Sequence, residues 1–373
     1  MIRLSKSVVG QAEADAVAHV INDIGYLGMG ATVGEFEHEL EQYIGGGRRA
    51  ICVNSGTAAL HLALQAVTRP GDEVLVPSFT FVASYQAITA AGCKPVSCDI
   101  DPDTLTLDLR DAEHRITPRT TAMMPVYYAS NCVLAEEYQA FAREHGLRLV
   151  EDAAHAFGCT CKGRKIGSFG DVACFSFDGI KNITTGEGGA IFTADPEVIE
   201  RVSDARLLGV QKDSEKRYAG QRSWLFDVVA QGYRYHMSNI FAAIGRVQLS
   251  RFEREFMPRR RAIALRYTEL LRNNPHVRLT PMDYEHEITP HIFAVQILGG
   301  KRPRLEQQLK DADIQYGIQY APNHHLTYFK EDVSLPVTDE VYSRIISLPI
   351  HPELTDEDIS RICDIINAVT LNS

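Results

Sequence analysis

Short apolar runs alternate with amphipathic stretches between about Ile51 and Thr193. This alternation predicts an α/β sheet covered by helices on both faces. A near-continuous apolar run such as Met123–Tyr128 suits a strand that is buried on both sides. Amphipathic stretches between the strands include Ala58–Ala66 and Glu136–Glu144. The predicted strands are Ala50–Val53, Glu73–Pro77, Pro95–Ile100, Thr121–Tyr127, Leu147–Glu151, Val172–Phe177 and Gly189–Thr193.

The pattern changes after the last of these strands. Pro196–Leu208 predicts a helix, with Asp195 as its N-cap and proline at the first helical position. The next segment, Gln211–Ser223, is polar, and we expect it to form a loop or lid. Its cations are Lys212, Lys216, Arg217 and Arg222.

The C-terminal third predicts a second, smaller unit. Ser238–Arg272 is mostly helical in period, and we place a domain boundary inside it, near Leu249. The division is residues 1–248, a large domain with an N-terminal arm, and residues 249–373, a small C-terminal domain. Further expected elements are a strand at His291–Ile297, a helix at Arg302–Ala312 and a last helix with Thr355 as its N-cap.

Composition narrows the class of protein. The chain has 373 residues and a formal net charge of −10, which argues against a nucleic-acid or anionic-membrane binder. The opening residues contain no apolar run of signal-peptide or membrane-span length. The eight cysteines are scattered, which predicts reduced thiols and a cytoplasmic protein. Cys159 and Cys161 lack a second Cys/His pair at zinc spacing, so no metal site is predicted.

Lys181 lies in the segment FSFDGIKNITTGEGG, which spans Phe175–Gly189. It follows a predicted buried strand and precedes glycines that allow close approach of a ligand. Burial lowers the pKa of a lysine, as a Schiff-base lysine requires. Taken alone, however, Lys181 fits an exposed lysine before a glycine-rich turn better.

Asp152 ends the apolar strand in LVEDAAH, and His155 follows on the adjoining turn. Ligands in open α/β sheets bind outside the carboxyl ends of the strands. A carboxylate there can keep the pyridine nitrogen of pyridoxal phosphate protonated, and His155 can reach the ring. An aspartate that caps a helix explains Asp152 equally well.

The segment VNSGTAALHLAL passes from a strand through small residues into a helix. A helix that begins in this way offers free N–H groups to a phosphate. Gly56, Thr57 and Ala58 are the expected donors. Serine and threonine also cap ordinary helices, so this motif is weak by itself.

Together these segments resemble the DegT/DnrJ family of sugar aminotransferases, within the fold-type-I pyridoxal-phosphate enzymes. The resemblance covers nearly the whole chain, and its most specific motif is the lysine before TTGEGG. It implies a large three-layer α/β/α domain with a mostly parallel sheet and a smaller C-terminal α+β domain. The other matching segments are GYLGMG and VGEFE, NSGTAALHLAL, GDEVLVPSFTF, ITPRTTAMMPV, VEDAAHAFG, GYRYHMSNIFAAIGRVQL and SLPIHPELTDEDI.

By position, the resemblance implies that Lys181 carries the cofactor as a Schiff base and that Asp152 binds its pyridine nitrogen. His155 is expected beside the phenolic oxygen, and Phe81 is expected to stack on the ring, although core packing would also explain Phe81. The expected phosphate ligands are Gly56, Thr57, Ala58 and Ser176. The candidate substrate-binding residues are Tyr127, Glu187, Arg222, His236 and Tyr320.

Two segments depart from the family pattern. Relatives read GYNYR where this chain has Gly232–His236, GYRYH, and the family's Asn and Arg reach the neighbouring subunit's phosphate region or substrate. Since alternate residues of an extended segment share a side, Arg234 and His236 could together bind an anion there, with Arg234 as a cofactor ligand. Relatives also carry His and Gly at the positions of Tyr127 and Ser130, which weakens the transfer of sugar specificity.

The resemblance implies a ping-pong transfer of an amino group from glutamate or glutamine to a nucleotide-linked keto-sugar, in a homodimer with its site at the interface. The lysine at 181 favours transamination, since some relatives with histidine there perform deoxygenation. The alternatives are amination of a non-nucleotide keto-sugar or cyclitol, a deoxygenation, and a non-catalytic pyridoxal-phosphate sensor. A dinucleotide-dependent dehydrogenase is disfavoured, because this chain has no GxGxxG motif after its first strand.

Overall fold

The computed structural model describes residues 1–221 and 224–371. In this part of the chain seven strands form one sheet, in the order β1-β9-β8-β5-β4-β2-β3. β10 to β12 form a second, antiparallel sheet, and β6 and β7 form a short hairpin. The strands are β1 (Arg49–Val53), β2 (Glu73–Pro77), β3 (Lys94–Cys98), β4 (Thr120–Met123), β5 (Arg148–Asp152), β6 (Thr160–Cys161), β7 (Arg164–Lys165), β8 (Val172–Ser176), β9 (Gly189–Thr193), β10 (Val277–Leu279), β11 (Phe293–Ile297) and β12 (Ile345–Leu348).

The helices cover the large sheet and form much of the C-terminal part. Short π-helical segments continue α1 and join α9 to α10. The α-helices are α1 (Gln11–His19), α2 (Ala31–Ile44), α3 (Gly56–Val67), α4 (Val82–Ala90), α5 (Leu109–His114), α6 (Ala135–Glu144), α7 (Pro196–Ala205), α8 (Asp213–Tyr218), α9 (Asn239–Arg251), α10 (Met257–Leu271), α11 (Arg302–Asp311), α12 (Pro336–Arg344) and α13 (Asp356–Leu371).

The large sheet is mostly parallel. β2, β3, β4, β5 and β8 pair in parallel, whereas β9 pairs antiparallel with both β1 and β8. The strands β2 and β8 are buried along their whole length, as expected of a sheet with helices on both faces. The carboxyl ends of the parallel strands therefore meet at one edge, where loops can build a binding site. The predicted fold class is confirmed.

The strand predicted at Thr121–Tyr127 ends earlier, because β4 stops at Met123. Pro125 has no N–H to donate to a ladder, and beyond it only Val126 bridges to Asp152. Ala129 and Ser130 then adopt positive φ angles of 51° and 74°. The chain thus turns away from the sheet where the apolar run suggested a continuous strand.

The segment predicted as a loop or lid contains α8, which is fastened to the core. The buried Arg206 donates to Glu37 at 2.5 Å, and Tyr218 of α8 donates to the other oxygen of that carboxylate at 2.5 Å. Arg217 pairs with Asp213 at 2.5 Å within the same helix, so its charge is balanced locally. Arg222 lies outside the described residues.

The C-terminal part contains the second sheet, which contacts α10 and α12, while α13 packs against α10 and α11. The Thr355 hydroxyl accepts from the N–H of Asp358 at 3.1 Å, which confirms the predicted N-cap of the last helix. The first residues of the chain join this part, since Ile2 bridges to Ile314 and Leu4 accepts from the N–H of Ile350. The division at residue 248 stays a prediction.

Two further expectations concern the environment of the protein. None of the helices in the described ranges combines the length and apolarity needed to cross a bilayer. All eight cysteines are free and buried, and Cys159 and Cys161 are each about 1% exposed. Their position in the core agrees with the structural role expected for them.

Candidate active site

A cleft of about 360 Å³ lies at the carboxyl edge of the large sheet. Nine of the residues singled out from the sequence line it: Gly56, Thr57, Phe81, Asp152, His155, Ser176, Lys181, Glu187 and Tyr320. They come from four separate strand ends and from the loop before α12. The cleft therefore gathers residues that the sequence placed in different motifs.

Lys181 follows β8, in a turn where its N–H donates to the carbonyl of Asp178 at 3.0 Å. Its Nζ lies 3.3 Å from Nε2 of His291. Burial lowers the pKa of Lys181 to about 8, although the negative charges of Asp152 and Asp178 act in the opposite direction. The amine is thus partly neutral near pH 8, as a nucleophile or base must be.

Asp152 is the last residue of β5 and is about 5% exposed. Its Oδ2 accepts from the Ser84 hydroxyl at 2.7 Å, and Oδ1 accepts from the N–H of Ala154 at 3.2 Å. Burial raises the pKa of Asp152, whereas these hydrogen bonds and the charge of Lys181 lower it. A buried carboxylate held in this way can bind a cationic N–H group that enters the cleft.

His155 lies beside two other aromatic rings, those of His291 and Tyr320. Its ring centroid is 4.8 Å from that of His291, and its Nε2 is 3.2 Å from the hydroxyl of Tyr320. Burial and the positive charge of Lys181 hold the pKa of His155 well below its usual range, so the imidazole is neutral. Its buried Nδ1 has no hydrogen-bond partner among the described residues, which leaves an atom available to a ligand.

The N-terminus of α3 forms another side of the cleft. Ser55 is its N-cap, and the Ser55 hydroxyl accepts from the N–H of Ala58 at 3.1 Å. The Ala58 N–H, which we expected to bind phosphate, is therefore already engaged. Gly56 and Thr57 carry the remaining N–H groups of the first turn. A Cβ at Gly56 would lie only 2.7 Å from the Cβ of Ser176, so the glycine allows these two segments of the chain to pack closely.

Phe81 precedes α4, and its side chain is 54% exposed toward the cleft. Its ring centroid lies 5.4 Å from that of Tyr320. Core packing, the alternative explanation for Phe81, does not fit this exposure. An aromatic face at the cleft wall is suited to a flat ligand ring.

The structure does not bring all of the expected residues into the cleft. Tyr127 is completely buried and its hydroxyl donates to Glu151, so its position does not match the expected role in substrate binding. The main chain turns after Pro125 and directs this side chain into the core.

Arg234 and His236 lie in an extended segment beside the end of β1, where His236 bridges to Val53. Arg234 is exposed, and neither residue lines the cleft of the single chain. Burial, together with the charges of Arg234 and two further arginines, lowers the pKa of His236 to about 4. His236 is therefore neutral at pH 7, and of the pair only Arg234 supplies a positive charge.

Sequence reasoning missed His291 and Ser84, which touch Lys181 and Asp152. His291 lies two residues before β11 and belongs to none of the motifs identified in the sequence. Ser84 lies in α4, about one helical turn after Phe81, the last residue of the PSFTF motif. That spacing was the available signal for Ser84, whereas nothing local marks His291.

These residues fit pyridoxal phosphate. The lysine with a lowered pKa suits its aldehyde, the carboxylate suits its ring nitrogen, and the start of α3 suits its phosphate. The unpartnered Nδ1 of His155 and the exposed Phe81 ring are further surfaces that a flat, polar ring would contact.

The comparisons with known proteins agree with this geometry. The profile of the DegT/DnrJ/EryC1/StrS aminotransferase family matches residues 8–367. A curated relative, dTDP-4-dehydro-2,3,6-trideoxy-D-glucose 4-aminotransferase of Saccharopolyspora spinosa, is 35% identical over 369 residues, which cover 98% of this chain and 95% of the relative.

Solved structures show the same fold. The aminotransferase TlmJ from Streptoalloteichus hindustanus superposes with a TM-score of 0.90 at 32% identity, covering 100% of this chain and 99% of that one. The pyridoxamine-phosphate form of a putative sugar aminotransferase from Streptococcus pneumoniae superposes with a TM-score of 0.90 at 30% identity, covering 100% of both chains. The same protein was also solved in its pyridoxal-phosphate form. The prediction of pyridoxal phosphate as the cofactor is supported by these relatives, and the chain belongs to the DegT/DnrJ/EryC1/StrS aminotransferase family.

Proposed function

We propose that this transaminase moves an amino group from glutamate or glutamine to a nucleotide-linked keto-sugar by a ping-pong mechanism. The observation that carries the proposal is the convergence of Lys181, Asp152 and His155 with the start of α3 in one cleft. The relative from Saccharopolyspora spinosa, a dTDP-sugar 4-aminotransferase that matches this chain over 95% of its own length, supports the substrate class.

Pyridoxal phosphate, when bound, supplies an aldehyde for the amino group and a ring that accepts electrons. Asp152 binds the ring nitrogen and keeps it protonated. Lys181 would hold the cofactor at rest and, as a free amine, would take up the proton from the α-carbon of the amino donor. Its lowered pKa suits this task, because the free amine can take up a proton and release it again near neutral pH.

The other cleft residues position the cofactor. The N–H groups of Gly56 and Thr57 and the hydroxyl of Ser176 bind the phosphate, where the positive end of α3 favours an anion. Phe81 would pack against the cofactor ring, and His155 would lie beside its phenolic oxygen. Glu187 and Tyr320 also line the cleft, and they would contact the substrate.

The acceptor's diphosphate needs positive charge that the single chain does not provide in the cleft. Among the described residues that line it, Lys181 is the only lysine or arginine. Arg234 is close in sequence to an exposed apolar segment, in which Trp224 is 84% and Leu225 is 95% exposed. We infer that this segment is covered in a homodimer and that Arg234 serves the site of the partner subunit.

The test is a pair of half-reactions followed by absorption spectroscopy. The yellow holoenzyme should lose its visible band on addition of glutamate or glutamine. The band should return when a dTDP-linked 4-keto-sugar is added, with an amino-sugar as product. A band that no amino donor changes would overturn the proposal in favour of a sensor or a deoxygenation. Return of the band with a free keto-sugar or cyclitol alone would overturn the nucleotide-linked substrate.

A further inference from the structure

Three potential metal ligands converge outside the cleft. His324 and His325 lie in the 3₁₀ turn Asn323–His325, and Asp339 lies in the first turn of α12. One ligand atom from each lies within 4.8 Å of the other two. Within residues 1–221 and 224–371, no other group of three His, Cys, Asp or Glu residues comes as close.

The distances suit a metal ion. Nε2 of His325 is 3.0 Å, and Nε2 of His324 is 3.5 Å, from the same Oδ1 of Asp339. In a tetrahedral zinc site with bonds near 2.0–2.1 Å, neighbouring ligand atoms are separated by about 3.3 Å. The two observed distances lie on either side of that value.

An ordinary ion pair explains only part of this arrangement. His325 and Asp339 are both nearly half exposed, and such a pair contributes little to stability. The second imidazole is directed at the same carboxylate oxygen, and the two ring centroids are 4.1 Å apart. Two protonated rings would repel each other at this distance, whereas two neutral rings can share one divalent cation.

His324 is held in the orientation of a ligand. Its side chain is 4% exposed, and its Nδ1 lies 2.7 Å from the Ser78 hydroxyl. A ring whose Nδ1 donates to such an oxygen presents Nε2 as the free lone pair, as in established metal sites. The neighbouring Asn323 side chain donates to the carbonyls of Ser78 and Thr80, which fixes the turn.

The surroundings are acidic. Asp99 accepts from the N–H of Thr338 at 2.7 Å and so holds the first turn of α12, which carries Asp339. The carboxylates of Asp99 and Glu331 both act electrostatically on the His324 ring. This negative charge attracts a cation to the site.

We propose that His324, His325 and Asp339 bind a divalent transition-metal ion of the zinc type, with water at the fourth position. Two imidazoles and one carboxylate are ligands that suit zinc and cobalt. The ion joins the turn at Asn323–His325 to α12. This site is separate from the transamination chemistry, and it differs from the sequence expectation of no metal site, which considered only Cys/His pairs at fixed spacing.

The experiment is a titration of tag-free, chelator-treated holoenzyme with Co²⁺, followed by visible absorption, and then with Zn²⁺ in competition. We expect saturation at one Co²⁺ per chain and displacement by Zn²⁺. His325→Ala and Asp339→Asn should each weaken binding at least about tenfold, because each removes a ligand from an exposed position. His19→Ala is the matched control, since His19 faces Asp23 at 2.7 Å with no third ligand among the described residues.

The outcomes are distinct. Saturable binding that both ligand variants lose and the His19 variant keeps supports the site. Absence of saturable binding, or binding of wild-type strength in both His325→Ala and Asp339→Asn, overturns it. Unchanged thermal unfolding of the variants in chelator shows that they fold, so that a loss of binding reports on the ligands.

Discussion

Nζ of Lys181 lies 3.3 Å from Nε2 of His291, although 110 positions separate the two residues in the chain. Lys181 follows the sheet strand β8, and His291 precedes β11 in the C-terminal part. Burial and the charge of Lys181 hold the pKa of His291 well below its usual range, so this ring is a neutral partner of the amine. The relationship joins the two parts of the chain at the reacting nitrogen.

We expect His291→Phe to lower kcat about tenfold with little change in KM, because it removes the polar partner of Lys181 but keeps a buried ring. His291→Gln, which retains a hydrogen-bonding group, should recover part of the loss. His351→Phe is the control, since His351 is also buried but its charged neighbours are Arg260, Glu353 and Lys6 rather than Lys181. Steady-state kinetics with a saturating acceptor measure the effect. An unchanged kcat in His291→Phe would exclude a positioning role.

Covalent attachment of the cofactor should depend on pH through Lys181. Below its pKa of about 8 the amine is protonated and unreactive, and above it the amine is neutral. The rate of attachment to the apoprotein should therefore rise about tenfold per pH unit and level off above pH 8. Stopped-flow absorption measures it, with N-acetyl-lysine amide as the free-lysine control. A rate that keeps rising toward the ordinary lysine pKa would contradict the lowered value.

Asp152→Asn should reduce kcat/KM at least about a hundredfold, because an amide cannot keep the ring nitrogen protonated. Ser84→Ala should cost less, about tenfold, since it removes one hydrogen bond to that carboxylate and leaves the charge. Loss of this bond should also raise the pKa of Asp152 further, because the bond lowers it in the native protein. Equal losses in the two variants would argue against the separate roles.

Mixed dimers test whether Arg234 acts across an interface. Lys181→Ala and Arg234→Ala should each be nearly inactive, and the first should still bind the cofactor without a covalent bond. In a mixture, each mixed dimer would contain one site with both native residues, so roughly a quarter of wild-type activity should return. No return of activity, with mixed dimers shown by mass spectrometry, would place Arg234 in the site of its own chain. Unchanged cofactor and substrate affinity in Arg234→Ala would exclude its anion-binding role.

The buried pair of Arg206 and Glu37 should govern stability. Arg206→Met leaves the Glu37 carboxylate buried and unpaired, and we expect a loss of about 3–5 kcal/mol in the free energy of unfolding. Arg246→Met is the control, because Arg246 makes part-exposed pairs with Glu35 and Glu39 and should cost less than about 1 kcal/mol. Urea denaturation measures both. Similar losses of unfolding free energy in the two variants would contradict the idea that burial makes the Arg206–Glu37 pair important.

Local patterns predicted many of the elements well. The predicted bounds of β2 and β9 coincide with those observed, because each is a short apolar run between turn residues. The N-caps Asp195 and Thr355 are likewise confirmed, since a cap depends on the next few residues only. The errors occur where a distant contact decides. Tyr127 continues an apolar run, but the turn after Pro125 buries it, and α8 forms where its tyrosine can reach Glu37.

The sequence by itself determined the strands of the large sheet, two helix caps, the family and the motif residues of the cleft. Each of these depends on periodicity or on a short run of residues. Only the tertiary structure decided three contacts of the site: His291 with Lys181, Ser84 with Asp152, and Tyr320 with His155. It also decided that two histidines face Asp339. The physical reason is that these contacts depend on how separate elements pack, which the local pattern of polar and apolar residues does not encode.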